Sequence, residues 1–99
     1  MFEQAERTVY AKFLYFHTRY PQIYLWFERY ALELIRTGQS KLGARMIIER
    51  VRWEVATAVD KTQHDYKIDN NYITHYARLF TRNHPEYRTF FEFRALRVL

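Results

Sequence analysis

The sequence predicts an all-α fold, a compact bundle of four to five short helices in one domain over residues 1–99. Apolar residues recur three and four positions apart through most of the chain, the pattern of helices with one buried face. The two glycines and two prolines leave no low-complexity run and no long disordered tail. Strand-like alternation shows at one place, near 55–68, where a small β-hairpin is the alternative to a helix end followed by a polar loop.

A first helix is predicted over 3–18, with Phe2, Val9, Phe13 and Phe16 or His17 near helical spacing. Pro21 suits the first turn of a second helix over 21–37, because its missing N–H has no intrahelical acceptor there. Ile23, Phe27, Tyr30, Ala31 and Leu34 form the buried face of that helix, and Gly38 supplies a left-handed cap. Ser40 is the N-cap expected for a third helix over 41–58, buried through Ala44, Ile47, Ile48, Val51, Val55 and Ala58. Arg45, Glu49 and Arg52 share the opposite side, and Trp53 is expected at the edge of the core. Asp69, Asn70 and Asn71 offer caps for a fourth helix over about 71–83, with Ile73, Tyr76, Ala77 and Phe80 as its stripe. Pro85 then opens a fifth helix reaching about Arg97.

Area scaling gives about two-thirds of the extended surface buried on folding, which supports a core without covalent staples. The 19 aromatic residues fit within that burial, tyrosines being the ones expected to reach the surface. With no cysteine there is no disulfide framework and no thiolate metal site, as suits a cytoplasmic setting. No segment approaches the ~18 consecutive apolar residues of a membrane span, so no membrane partner is expected. The formal charge of +5 is uneven: residues 1–35 sum to zero, 36–52 to +4, 53–69 to −2 and 70–99 to +3. Two basic segments around an acidic one favour anionic partners.

Nothing in the chain assembles a catalytic set. His17, His64, His75 and His84 lack the i,i+4 spacing that aims two imidazoles at one metal, and no phosphate-binding glycine loop or nucleophile elbow is present. No enzyme activity, cofactor, metal or small-molecule substrate is therefore expected.

Recognition is a better match. Asn71, Thr74, His75, Arg78 and Arg82 follow one another along a single face of helix four, opposite Tyr76 and Phe80, and that face carries no acid. Asn suits adenine, Arg suits guanine, and the remaining donors suit phosphate, so this face is the expected nucleic-acid contact, with DNA favoured. Arg36, Lys41, Arg45 and Arg52 are the expected phosphate holders. The alternative is a protein-interaction module, either an inhibitor of a host protein or a homodimeric adaptor. Its anchors would be Tyr10, Tyr15, Arg19, Tyr20, Tyr24, Trp26 and Arg29 on helices one and two.

Two stretches carry a resemblance. They are Gly43-Ala44-Arg45-Met46-Ile47-Ile48-Glu49-Arg50-Val51-Arg52-Trp53-Glu54 and Tyr66-Lys67-Ile68-Asp69-Asn70-Asn71-Tyr72. With Tyr76-Ala77-Arg78 and His84-Pro85-Glu86-Tyr87, the region of about 23–94 resembles a group of small uncharacterised bacterial, phage and prophage proteins. The resemblance implies a bacterial or phage cytoplasmic setting and transfers no catalytic residue. Small phage proteins are often DNA regulators or inhibitors of host proteins, and both functional readings agree with that.

Overall fold

A computed structural model describes residues 2–38, 43–58 and 67–91, with side chains from Arg7 onward. Four α-helices account for most of these residues: α1 (Phe2–Arg19), α2 (Pro21–Arg36), α3 (Ala44–Ala56) and α4 (Ile73–Asn83). Single 3-10 turns at Asn70–Tyr72 and Pro85–Tyr87 precede and follow α4. The all-α bundle read from the sequence is the observed architecture. Helix α2 is its centre, packing against α1, α3 and α4, while α3 and α4 also touch each other.

Prolines set two of the helix boundaries. Tyr20 (φ −127°, ψ 68°) and His84 (φ −134°, ψ 70°) have nearly the same non-helical backbone. Each precedes a proline, whose ring disfavours the α conformation in the residue before it. Helix α2 ends where Gly38 turns to φ +89°, donating its N–H to the Ile35 carbonyl at 3.0 Å. That left-handed geometry is what glycine adopts without a Cβ penalty. At the start of the α4 region, the Asp69 carboxylate accepts the Asn71 N–H at 2.8 Å and caps the leading 3-10 turn.

The core is built from the predicted stripes. Ile23, Phe27, Ile48, Val51, Tyr76 and Phe80 have essentially no exposed surface. Aromatic rings join the helices: Phe13 meets Tyr76 edge-on at 4.8 Å, and Tyr76 stacks on Phe27 at 5.9 Å. Such pairs contribute about 0.5–1.5 kcal/mol each beyond their burial. Arg52 ties α3 to the segment before α4. Its guanidinium donates to the Ile68 carbonyl at 2.7 Å, to Asn70 Oδ1 at 2.6 Å and to Glu49 at 2.9 Å.

Three expectations are corrected, and a fourth, the alternative hairpin, falls largely outside the described residues. The fifth helix, expected to reach about Arg97, is across 85–91 one 3-10 turn held by i→i−3 bonds, and residues 92–97 lie outside the described residues. Phe91 there packs on both Phe27 and Phe80 at 5.7 Å, contacts between residues far apart in sequence that local helix signals do not encode. Helix α3 begins at Ala44 behind an extended Gly43, so Ser40 does not cap its first described turn; residues 39–42 lie outside the described residues. The alternation that suggested a hairpin starts inside α3, where Val55 is helical and buried, and residues 59–66 lie outside the described residues. Trp53 is 62% exposed and not at the core edge, because it lies opposite the stripe of Ile47, Ile48, Val51 and Val55.

Candidate nucleic-acid interface

The amphipathic pattern of α4 orients its polar row. Tyr76, Ala77 and Phe80 are drawn into the core, which turns Thr74, Arg78 and Arg82 to solvent, and Asn71 is exposed on the turn before them. Arg78 and Arg82 stand one helical turn apart, about 6 Å along the axis. No acidic residue occurs within Ile73–Asn83. Neither arginine has an ion-pair partner among the described residues.

The other member of the predicted row, His75, is half-buried. Its ring lies 5.2 Å from Phe13 and 5.3 Å from Tyr10, so α1 covers one edge of the α4 face. Tyr10, read from the sequence as a protein-interface residue, is thereby a neighbour of the nucleic-acid candidates. It remains 41% exposed and presents a ring beside the basic row. Periodicity within each helix could not reveal this, because the contact joins two helices far apart in sequence.

The expected phosphate holders separate into different situations. Arg36 is exposed on the last turn of α2 and has no ion-pair partner among the described residues. Lys41 lies outside the described residues. Arg45 pairs with Glu49 at 3.8 Å. Arg52 is a structural brace rather than a free cation, its three hydrogen bonds occupying the guanidinium. Elsewhere the same balance holds: Arg29 faces Glu33 at 3.6 Å and Arg50 faces Glu54 at 3.5 Å. These i,i+4 pairs contribute only a few tenths of a kcal/mol each, but they partly neutralise the α2–α3 surface.

Of the residues assigned to a protein interface, Tyr15 is 70% exposed and Arg19 is exposed beside Tyr20, bonding its hydroxyl at 3.2 Å. Tyr20 and Trp26 are half-buried, and Arg29 is exposed. Tyr24 is not a surface anchor. Its ring is buried, and its hydroxyl receives a hydrogen bond from the Asn83 amide at 3.0 Å and donates to Glu28 at 3.1 Å. Burial first, then the Glu28 carboxylate, raise its pKa to about 12, partly offset by the Asn83 bond. His84 Nε2 lies 2.8 Å from the same carboxylate, so this network fastens the end of α4 to α2. The helical phase of Tyr24, next to the Ile23–Phe27 stripe, was the signal for its burial.

Two side chains of α3, expected to flank its core stripe, are instead turned to solvent. Met46 and Trp53, seven residues apart, are 56% and 62% exposed. Their phase opposite the α3 core stripe already places them outward.

No family model, no curated protein and no solved structure matches this chain. Among the described residues no helix is long and apolar enough to cross a membrane.

Proposed function

We propose that this protein is a small basic nucleic-acid-binding protein without enzymatic activity, with DNA favoured, acting as a bacterial or phage regulator in the cytoplasm. The observation that carries this reading is the contrast between the helices. Arginines 29, 45, 50 and 52 each face a glutamate, whereas Arg78 and Arg82 have no acidic partner among the described residues and stand on an acid-free face. Unneutralised cations on one exposed helix face are what phosphate binding requires.

The contact set is Asn71, Thr74, Arg78 and Arg82, with Tyr10 and His75 forming one wall. A helix of 11 residues is about 16 Å long and suits a major groove about 12 Å wide. Arg36 supplies an additional phosphate contact from the end of α2. Arg45 contributes less because Glu49 shares its charge, and Arg52 acts through the fold.

Duplex DNA binding measured across a salt series tests the reading with an Arg78→Ala/Arg82→Ala double variant. Two neutralised phosphates correspond to a slope of log K against log salt that becomes shallower by about 1.8. An unchanged slope, or no binding by the parent at low salt, refutes the α4 assignment.

The exposure of Tyr15 beside Arg19 supports a second reading, a protein-interaction module or homodimeric adaptor built on α1 and α2. A particle mass that rises with concentration and is restored to that of one chain by Tyr15→Ala supports this reading.

A further inference from the structure

Helix α1 carries cations that the α4 contact leaves unused. Its inner side is fixed by Tyr10, Phe13 and His17, which meet rings of α4 and α2. Lys12, Tyr15 and Arg19 leave the helix roughly 140–180° round from Tyr10, with Lys12 and Arg19 about 10 Å apart along the axis. All three are exposed, as is Thr8 one turn earlier on the same row.

Charge sets this row apart from the other arginine-bearing surfaces. From Arg7 to Phe27 the sequence holds no aspartate or glutamate, whereas α2 and α3 together interleave five arginines with four glutamates. Neither Lys12 nor Arg19 has an ion-pair partner among the described residues. Arg19 bonds the Tyr20 hydroxyl at 3.2 Å, a neutral partner that leaves its charge uncompensated.

Composition decides the occupant. Protein interfaces are depleted in charge at their cores, and this row offers Tyr15 alone between two cations. A second copy packed on the same row would set Lys12 and Arg19 against Lys12 and Arg19, with no acid on either side. Protein–DNA interfaces are polar and strongly positive, and Lys, Arg, Tyr and Thr side chains all donate to phosphate. A duplex seated on α4 lies on the Tyr10 side of α1 and does not reach the opposite side of a helix about 10–12 Å thick.

We infer that the outer row of α1 holds the phosphates of a second duplex, independently of its sequence, so that one chain bridges two DNA segments. The inference rests on the nucleic-acid reading of α4 and adds bridging to it.

Retention of a second duplex tests this. The full chain is loaded at low salt onto an immobilised duplex, and capture of a labelled duplex of unrelated sequence is measured. The parent, with the mass of one chain in the absence of DNA, is expected to capture it. Lys12→Ala/Arg19→Ala, at exposed positions, should lower capture about tenfold while helical circular dichroism and binding to the immobilised duplex are kept. Arg29→Ala/Arg50→Ala removes the same formal charge from positions that face glutamate and should capture as the parent does. A parent that binds the immobilised duplex and captures no second one overturns the inference and leaves the α4 reading standing, whereas binding to neither duplex overturns both. Unchanged capture by Lys12→Ala/Arg19→Ala overturns the inference, as does an equal loss in the two double variants, which reduces the effect to net charge. A two-chain mass without DNA overturns it in favour of a dimer that bridges through its two α4 faces.

Discussion

Replacing Arg52 discriminates between a phosphate anchor and a tertiary brace. Its Nη2 serves two acceptors, the Ile68 carbonyl at 2.7 Å and Asn70 Oδ1 at 2.6 Å, while Nη1 meets Glu49 at 2.9 Å. Asn70 and Glu49 are exposed, so water replaces most of what they lose. The Ile68 carbonyl belongs to a residue only 5% exposed, and an unsatisfied buried acceptor costs about 1–3 kcal/mol. Arg52→Ala is therefore expected to lower stability by about 2 kcal/mol, or roughly 8–16 °C in Tm for a domain of this size. Arg52→Lys keeps the charge but lacks the fork that reaches two acceptors from one nitrogen, so it should lose about half as much. Urea unfolding of the three proteins measures this, and the salt dependence of DNA binding is recorded in parallel. The brace predicts reduced stability and an unchanged salt slope. Parent-like stability with a slope shallower by about 0.9 would falsify it and return Arg52 to the phosphate set.

Two further predictions concern pH and the backbone. Burial lowers the pKa of His17, whose ring stacks on Phe13 at 5.8 Å and whose Nδ1 has no hydrogen-bond partner among the described residues. The folded state therefore binds fewer protons than the unfolded chain. The stability linked to His17 is complete above its unfolded pKa near 6.5 and falls as pH drops from there through the folded value. Urea midpoints at pH 7.5 and 5.5 should differ in the parent and differ less in His17→Phe; equal pH sensitivity in both proteins excludes this residue as the source. Gly38→Ala should cost about 1 kcal/mol in thermal unfolding, since φ is +89° and no atom lies within 4 Å of the added Cβ. A neutral substitution would show that the left-handed cap is not occupied in solution.

Much of the bundle is legible from spacing. In α4 the interval from Ile73 through Tyr76 and Ala77 to Phe80 is sufficient to identify both the helix and its inward side. Tyr20-Pro21 and Gly38 likewise mark the ends of α2 through local backbone sterics. Errors arose where distant residues supply the decisive contact. Pro85 suggested a new helix, but Phe91 is held between Phe27 and Phe80, which no local propensity encodes. Tyr24 suggested a surface anchor until Asn83 and Glu28 satisfied its hydroxyl. Trp53 is different: it was expected to flank the stripe at the core edge, but its phase against Ile47 and Val51 already directs it outward.

For the candidate site, the sequence by itself determined that Thr74, Arg78 and Arg82 share one acid-free helical face, because a period of 3.6 residues needs no tertiary information, whereas Asn71, expected on the same helix, lies on the 3-10 turn before it beside Asp69. Tertiary structure alone decided which of the proposed cations remain unoccupied by the fold. Arg52 is held by acceptors 16 and 18 residues away, and His75 is turned toward α1 by rings 62 and 65 residues away. Whether a charged or aromatic side chain is free to bind depends on partners that chain folding brings near. Helical periodicity fixes only the direction in which that side chain leaves its own backbone.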